Sequence, residues 1–393
     1  MVRRAAPYPA DRARSNAEPP HRRIWAEVDH AALARNVRSL RAGLRRGCHL
    51  IAVVKGDAYG HGATAVARSA VAAGASALAV ASATEGAELR AAGITAELLV
   101  IGPSLVEDLP LILEYDLVPA IADLDFARAL EAAARGPCRV QVEVETGLSR
   151  FGIDASIAFP LIASIAGSHS LRLAGVYTHF SALQDSDVVS VREQFTVFEG
   201  LLAQLHGAGL RPFAHACNTL SSRLLPDAQL DALRIGGGLH GLGSTAAALG
   251  LTPILSLHSQ IAALQPARAG ERVGYGATHC CPRDTLLAIL PCGYADGLVR
   301  STWNGRDVLV RGQRAPIVGL VSMNQLVIDV GAVAGGVAVG DEVVLIGQQG
   351  GARIRAEERL PPGCSAYELT TLLQPCVPRC HRGAAAPADA RRG

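Results

Sequence analysis

The sequence lacks a dominant sign of charge. Lys plus Arg number 37 and Asp plus Glu 35 over 393 residues, a formal net of +2. A chain so balanced offers no basic stripe for nucleic acid or an anionic membrane surface, and neither is expected as a partner. It also lacks a long apolar run. A membrane span needs roughly 18 such residues, and the nearest stretch, Val71 to Ala83, is short and built largely of Ala, Gly and Ser. Residues 1–20, rich in Arg, Pro and Ala, lack the apolar core of a secretory signal and read as a disordered leader; residues 383–393 read as a disordered tail. Standard zinc spacings are missing too. Cys376, Cys380 and His381 lie close together, as do His279, Cys280 and Cys281, but neither group fits, and no metal is expected. The nine cysteines, odd in number and without an export signal, read as reduced thiols of a cytoplasmic protein.

The chain is long enough for two domains with sizeable cores. Arg23 to Val28 reads as a strand, and Asp29 as the cap of a helix over residues 31–44. Strand and helix patterns then alternate. The strands are expected at Leu50–Val54, Ala77–Val80, Leu98–Ile101, Val118–Ile121, Arg139–Glu145, Leu171–Thr178, Pro212–Ala214 and Ala232–Ile235. Eight βα units over about 230 residues predict an α/β chain whose N-terminal part is a TIM (β/α)8 barrel. Val140, Val142 and Val144 alternate with Gln141, Glu143 and Glu145, which points the valines at the helices and the polar groups into the barrel. After Leu251-Thr-Pro253 the pattern changes to short strands: Ile254–Ala263, Leu286–Pro291, Asp307–Val310, Pro316–Val321, Gln325–Val330 and Glu342–Ile346, with one late helix over residues 365–373. This predicts a barrel over residues 21–252, its first strand free to pack on the β domain, and a mostly-β C-terminal domain over residues 253–382.

Barrel active sites lie at the C-terminal ends of the strands. Reactive side chains gather there. Lys55 and Tyr59 follow the first barrel strand, with Gly56, Gly60 and Gly62 able to admit a ligand close to the backbone. Thr146-Gly-Leu-Ser-Arg150 follows the fifth, His179 the sixth, and His215, Asn218 and Thr219 the seventh. Arg234, Gly236, Gly237 and Gly238 close the series at the eighth. Each has an ordinary reading: a lysine snorkelling from a loop, a satisfied core histidine, a glycine turn. Their coincidence at five strand ends carries the argument. A lysine in an apolar setting loses its charge readily and forms a Schiff base with an aldehyde. The last two strand ends are the usual phosphate corner of such barrels. Together these point to pyridoxal 5′-phosphate (PLP), with Arg234 facing the pyridine nitrogen. A permanently protonated arginine leaves that nitrogen unprotonated, which makes the ring a weaker electron sink and suits proton transfer.

The stretch Val53-Val-Lys-Gly-Asp-Ala-Tyr-Gly-His-Gly62 resembles the PLP-binding signature of bacterial alanine racemases. The resemblance runs from about Trp25 to Arg379 and includes Thr178-His-Phe180, His215-Ala-Cys-Asn218, Arg234-Ile-Gly236, Gly274-Tyr-Gly276, Gly293-Tyr-Ala-Asp-Gly297, Gly312 to Gly319 and Tyr367-Glu368. It implies roles. Lys55 would carry the cofactor and act as base on one face of the α-carbon; Tyr275, supplied by the partner subunit of a head-to-tail homodimer, would act on the other. His179 would contact Tyr275, with Arg234 and His215 behind it. Arg150 would approach the cofactor and the substrate carboxylate, and Met323 would offer that carboxylate its backbone N–H. Tyr59, Thr219, Gly236, Gly237 and Tyr367 would hold the phosphate, Asn218 would join the cofactor contacts, and Tyr294 would narrow the mouth.

Several positions depart from the family pattern. Glu143 stands where many members carry a carbamylated lysine, and would supply a negative charge beside Arg150 directly. His240 replaces a common tyrosine, and Ser322 and Asn324 flank Met323 where Cys and Asp are usual. The expected function is racemisation of a small amino acid, alanine first. Four alternatives stay open: a racemase preferring serine or another amino acid, a decarboxylase (which Arg234 argues against), a PLP-carrier protein, and an inactive paralogue.

Overall fold

The structure, a computed structural model, describes residues 23–360 and 364–383. The leader over residues 1–20 and all but the first residue of the tail over residues 383–393 lie outside the described residues.

Strand β1 (Ile24–Asp29) is the first described, and nine strands complete the first half: β2 His49–Val53, β3 Ala77–Val80, β4 Glu97–Val100, β5 Val118–Ile121, β6 Cys138–Glu145, β7 Ile153–Asp154, β8 Leu171–Thr178, β9 Ala214–His215 and β10 Ala232–Ile235 follow in order, and β11 (Leu255–Gln260) begins the second half. All but β1, the short β7 and β11 form one closed parallel barrel. Each strand pairs with the next, β5 pairs with β6, and β10 returns to β2. The helices between the strands are capped as their sequences dictate. Asp29 accepts from Ala32 N at 2.9 Å and Asp123 from Phe126 N at 2.7 Å, each satisfying a donor that the first helical turn leaves free. Strand β6 shows how the barrel sorts its residues. Val140, Val142 and Val144 sink into the layer between strands and helices, while Gln141 and Glu143 point inward at 3% and 1% exposure. Apolar residues fill the interior near Ile51, Val53, Ala79 and Leu99; polar groups occupy the other end.

The second half contains β12 Ala263–Ala267, β13 Arg272–Val273, β14 His279–Cys280, β15 Thr285–Leu290, β16 Asp307–Val310, β17 Gln313–Val318, β18 Leu326–Asp329, β19 Glu342–Gln349, β20 Ala352–Ile354 and β21 Arg379–Arg382. Apart from β13 and β14, which pair only with each other, these build a second sheet around its own core of Leu257, Leu290, Val308, Ile328 and Val343. Strand β1 belongs to this sheet. It pairs antiparallel with β11 and parallel with β21, so the first and last described strands lie side by side.

Three expectations shift. Strand β9 begins at Ala214 rather than Pro212, because Pro212 has no N–H to give to a ladder and Asp231 binds Ala214 N at 2.8 Å. The single strand expected over Ile254–Ala263 is two, β11 and β12, at separate places in the sheet. Strand β17 ends at Val318, where Gly319 turns the chain at φ +71°. Among the described residues no helix is long and apolar enough to cross a membrane, no group of three His, Cys, Asp or Glu side chains is placed to hold a metal, and Cys48, Cys138, Cys217, Cys280, Cys281, Cys292, Cys364 and Cys376 are free thiols.

Candidate active site

Lys55 leaves the end of β2 at the barrel mouth. It is the single lysine among 393 residues; every other side chain in the Lys-plus-Arg count is arginine. Burial lowers its pKa, and the Arg150 guanidinium lowers it further, while Glu85 and Glu143 oppose the shift. The chain then enters a left-handed turn. Gly56, Asp57, Ala58 and Tyr59 all take φ between +51° and +61°. For the three non-glycine residues this costs about 1–2 kcal/mol each, so the surroundings must hold it. Glu85 accepts from Gly56 N at 2.7 Å, Asp57 from Ala63 N at 2.7 Å, and Arg379 donates to Gly60 O at 3.1 Å. Gly60 and Gly62 are required by this packing. A Cβ on Gly60 would lie 2.7 Å from the Thr370 carbonyl carbon, and one on Gly62 3.0 Å from the His381 ring. The turn is thus moulded against the helix Ala366–Thr371 and strand β21 of the second domain.

Inside the barrel, Arg234 is 2% exposed. Its Nη atoms donate to the carbonyls of Thr178 at 2.6 Å and Ala216 at 3.0 Å, to His215 Nδ1 at 2.5 Å and to His179 Nδ1 at 3.2 Å. An arginine only donates, so both histidines accept at Nδ1 and keep their proton on Nε2. His215 passes that proton toward Gln141 Oε1 at 2.6 Å. Burial, followed by the Arg234 charge, pushes both histidines well below the usual range and keeps them neutral. Among the described residues no hydrogen bond engages Arg234 Nε, so that donor remains for a ligand. Tyr177 lies under Arg234, its ring 4.7 Å from the guanidinium carbon, stacks on His215, and donates its hydroxyl to Glu143 at 2.6 Å. Glu143 in turn faces Arg150 Nη2 at 3.7 Å. Burial raises the Glu143 pKa, against the hydrogen bond from Tyr177 and the charges of Arg234 and Arg150. Glu145 shapes the loop that carries Arg150, accepting from the backbone N–H of Gly147, of Leu148 at 2.6 Å and of Arg150 at 3.2 Å.

Across the mouth stands a cradle of two phenols and three glycines. The rings of Tyr59 and Tyr367 meet edge-on with centroids 5.4 Å apart. A Cβ at Gly236 would fall 2.8 Å from Tyr59 Cζ, and one at Gly237 2.5 Å from Tyr367 Cζ. Only bare backbone fits beneath these hydroxyls. Gly238 N donates to Thr219 Oγ1 at 3.2 Å. Asn218 is engaged locally, capping the helix Thr219–Leu224 by accepting from Ser221 N at 3.0 Å. Such a set of hydroxyls and backbone amides suits a phosphate group.

The family model "Alanine racemase, N-terminal domain" matches residues 28–244, and "Alanine racemase, C-terminal domain" matches residues 254–381. The chain belongs to the alanine racemase family. It is therefore an enzyme. It is 37% identical over 376 residues to the alanine racemase of Desulfosudis oleivorans, covering 91% of this chain and 96% of that one. Identity to the alanine racemase of Sorangium cellulosum is 38% over 373 residues, covering 91% and 98%. The fold matches the alanine racemase of D-cycloserine-producing Streptomyces lavendulae with TM-score 0.85, 33% identity and coverage of 94% and 99%. The Bacillus anthracis alanine racemase with bound L-Ala-P matches with TM-score 0.85, 32% identity and coverage of 93% and 96%.

The structure of this family member brings Lys55, Arg150, His179, His215 and Arg234 together with the Tyr59–Tyr367 cradle. It keeps Tyr275 apart. That residue sits in the second domain, between Gly274 and Gly276 at positive φ, and is 69% exposed. Met323 is also exposed, at 55%, and Tyr294 carries Arg300 over its ring at 5.3 Å. Tyr177 was not expected from sequence, and Gln141, expected inside the barrel, had been given no part in the site. Period-two alternation could have found Tyr177, since Val176 faces the helices and Tyr177 must face inward with His179.

Proposed function

We propose that the protein interconverts L-alanine and D-alanine, with PLP held covalently at Lys55 Nζ and with two bases on opposite faces of the substrate α-carbon: Lys55 and Tyr275 of the partner subunit. The observation that carries this is the single lysine of the chain, half-buried and pushed toward its neutral form, at the same barrel mouth as a cradle that only glycine backbone can line. The residues fit the cofactor at each end. Tyr59, Tyr367, Thr219 and the backbone of Gly236 and Gly237 would hold the phosphate, and Arg234 Nε would face the pyridine nitrogen. Bound there, PLP draws electron density from the α-carbon and acidifies its C–H bond.

The chain's own residues do the rest. Lys55, disfavoured as a cation by burial and by Arg150, accepts a proton on one face at a pH where a free lysine would not. Arg150 receives the substrate carboxylate, held in place by Glu143, with the Met323 backbone as a second donor. Arg234 stays protonated because its Nη atoms are bound to carbonyls and neutral imidazoles. Tyr275, exposed in one chain, meets a site when a second copy packs head-to-tail, so the functional unit is a homodimer. Free thiols at positions such as Cys48, Cys217, Cys292 and Cys376 suit a reducing cytoplasm.

The test is α-proton exchange in heavy water by purified protein with PLP, offered each enantiomer of alanine and of serine, with chirality followed in parallel. Exchange with inversion on alanine is expected. Binding of PLP without exchange on alanine refutes the assignment, and faster inversion of serine reassigns the substrate.

A further inference from the structure

His61 and His240 are buried side by side and take no part in the chemistry above. His61 follows the left-handed turn, and His240 ends the short helix Gly237–His240. Both are 0% exposed. Their ring centroids lie 4.5 Å apart, and the Tyr59 ring lies 4.8 Å from that of His240. His61 Nδ1 stands 2.9 Å from the carbonyls of both Ala58 and Tyr59, and His240 Nδ1 stands 2.9 Å from the carbonyl of Gly236. A carbonyl can only accept, so each Nδ1 carries the hydrogen and each Nε2 is a bare lone pair. Neither Nε2 has a hydrogen-bond partner among the described residues.

A buried acceptor left alone costs about 1–3 kcal/mol. A hydrocarbon side chain would fill the same space without that cost. What the imidazoles add is donation from Nδ1, and the three carbonyls that receive it have one thing in common. Ala58 and Tyr59 end the strained turn that presents the Tyr59 hydroxyl; Gly236 is the backbone against which that phenol rests. The rings stay neutral: burial holds His240 down to about 4 and His61 well below the usual range.

We infer that His61 and His240 are positioning residues for the phosphate end of the cofactor, a packed pair that clamps the Tyr59 turn to the Gly236 backbone and so fixes the width of the cradle. This rests on the PLP reading above. They touch no phosphate themselves; they set where Tyr59 and Gly236 stand.

The experiment titrates apoprotein with PLP and, separately, with pyridoxal, which lacks the phosphate. Wild type is compared with His240→Leu, which cannot donate, and His240→Asn, whose side-chain amide can replace the Nδ1 donor. Melting of each apoprotein checks the fold. The loss of one hydrogen bond at Gly236 is expected to weaken PLP binding roughly tenfold in His240→Leu, with pyridoxal changed by less than about twofold. His240→Asn is expected to recover most of the PLP affinity. Should His240→Leu fail to fold, His61→Leu and His61→Asn make the same comparison from the other turn. Equal weakening of PLP and pyridoxal, or no recovery by asparagine, overturns the inference while leaving the cofactor reading intact. Wild-type protein that binds pyridoxal as tightly as PLP, or binds neither, overturns both.

Discussion

Replacing Glu143 with glutamine separates its charge from its shape. Glutamine fills the same space and can still accept the Tyr177 hydroxyl now 2.6 Å from the carboxylate. Only the negative charge beside Arg150 is lost. Removing one partner of a fully buried ion pair costs about 3–5 kcal/mol, whereas an exposed pair is worth less than about 1 kcal/mol. Here Glu143 is 1% exposed and Arg150 50%, at 3.7 Å. The effect on holding Arg150 should therefore fall between, about 1–2 kcal/mol, or roughly 5- to 30-fold in kcat/KM, mostly as raised KM for alanine. Stability should move the opposite way. Burial raises the Glu143 pKa in the folded protein. A carboxyl raised on folding binds more protons folded than unfolded between the two pKa values, so its contribution to stability is full below the ordinary carboxyl range and is lost as pH rises through the folded value. Glu143→Gln lacks that loss, so its apoprotein should gain melting temperature relative to wild type as pH rises from 4 to 8. Steady-state kinetics and melting curves across pH test both halves. Unchanged kcat/KM would refute the role in holding Arg150, and a pH-independent difference in melting would refute the burial argument.

Three further outcomes follow from the site. Lys55→Ala and Tyr275→Phe should each be nearly inactive, yet dimers reassorted from the two should regain roughly a quarter of wild-type specific activity, because half the dimers then carry one site with both wild-type residues; no regain would place both bases in one chain. Gly237→Ala puts a Cβ 2.5 Å from Tyr367 Cζ, an overpacking of about 1–3 kcal/mol, and should weaken PLP binding by titration roughly 5-fold or more; unchanged affinity would remove Tyr367 from the cradle. The rate at which apoprotein captures PLP should follow an amine with pKa below the ordinary lysine value of 10.5. Arg150→Gln should move that limb to higher pH, since the Arg150 charge helps lower it, and an unmoved limb would leave burial and the Arg234 charge as the causes.

Much of the barrel was legible because its signals are local. Four of the eight barrel strands fall on the residues expected, and alternation along β6 alone placed Gln141 and Glu143 inside. The strand ends then delivered Lys55, Arg150, His179 and Arg234. What escaped was set by tertiary contact. Asp57, Ala58 and Tyr59 carry no sequence mark of a left-handed turn; the backbone of Thr370 and the side chains of Glu85 and Arg379 impose it. Tyr177 escaped because attention to strand ends passes over the residue just inside one. The pairing of β1 with β11 and β21 spans nearly the whole chain, where no short-range pattern reaches. One signal was in plain view: a count of lysines isolates Lys55 without any structure.

The place of β1 between β11 and β21 bears on how the protein is made. A ribosome adding roughly 5–20 residues per second releases β1 tens of seconds before β21 exists. The barrel can close in that interval, since its strands are consecutive and its contacts short in sequence. The β domain cannot, because β1 waits for β21, about 350 residues further along the chain. A nascent chain paused before Arg379 therefore holds a finished barrel beside a sheet that ends on the six-residue β1 in place of the four-residue β21, a longer exposed ladder that invites pairing between chains. A stop before Arg379 should therefore give an aggregating product rather than a slightly shorter enzyme, because it removes the strand that covers β1.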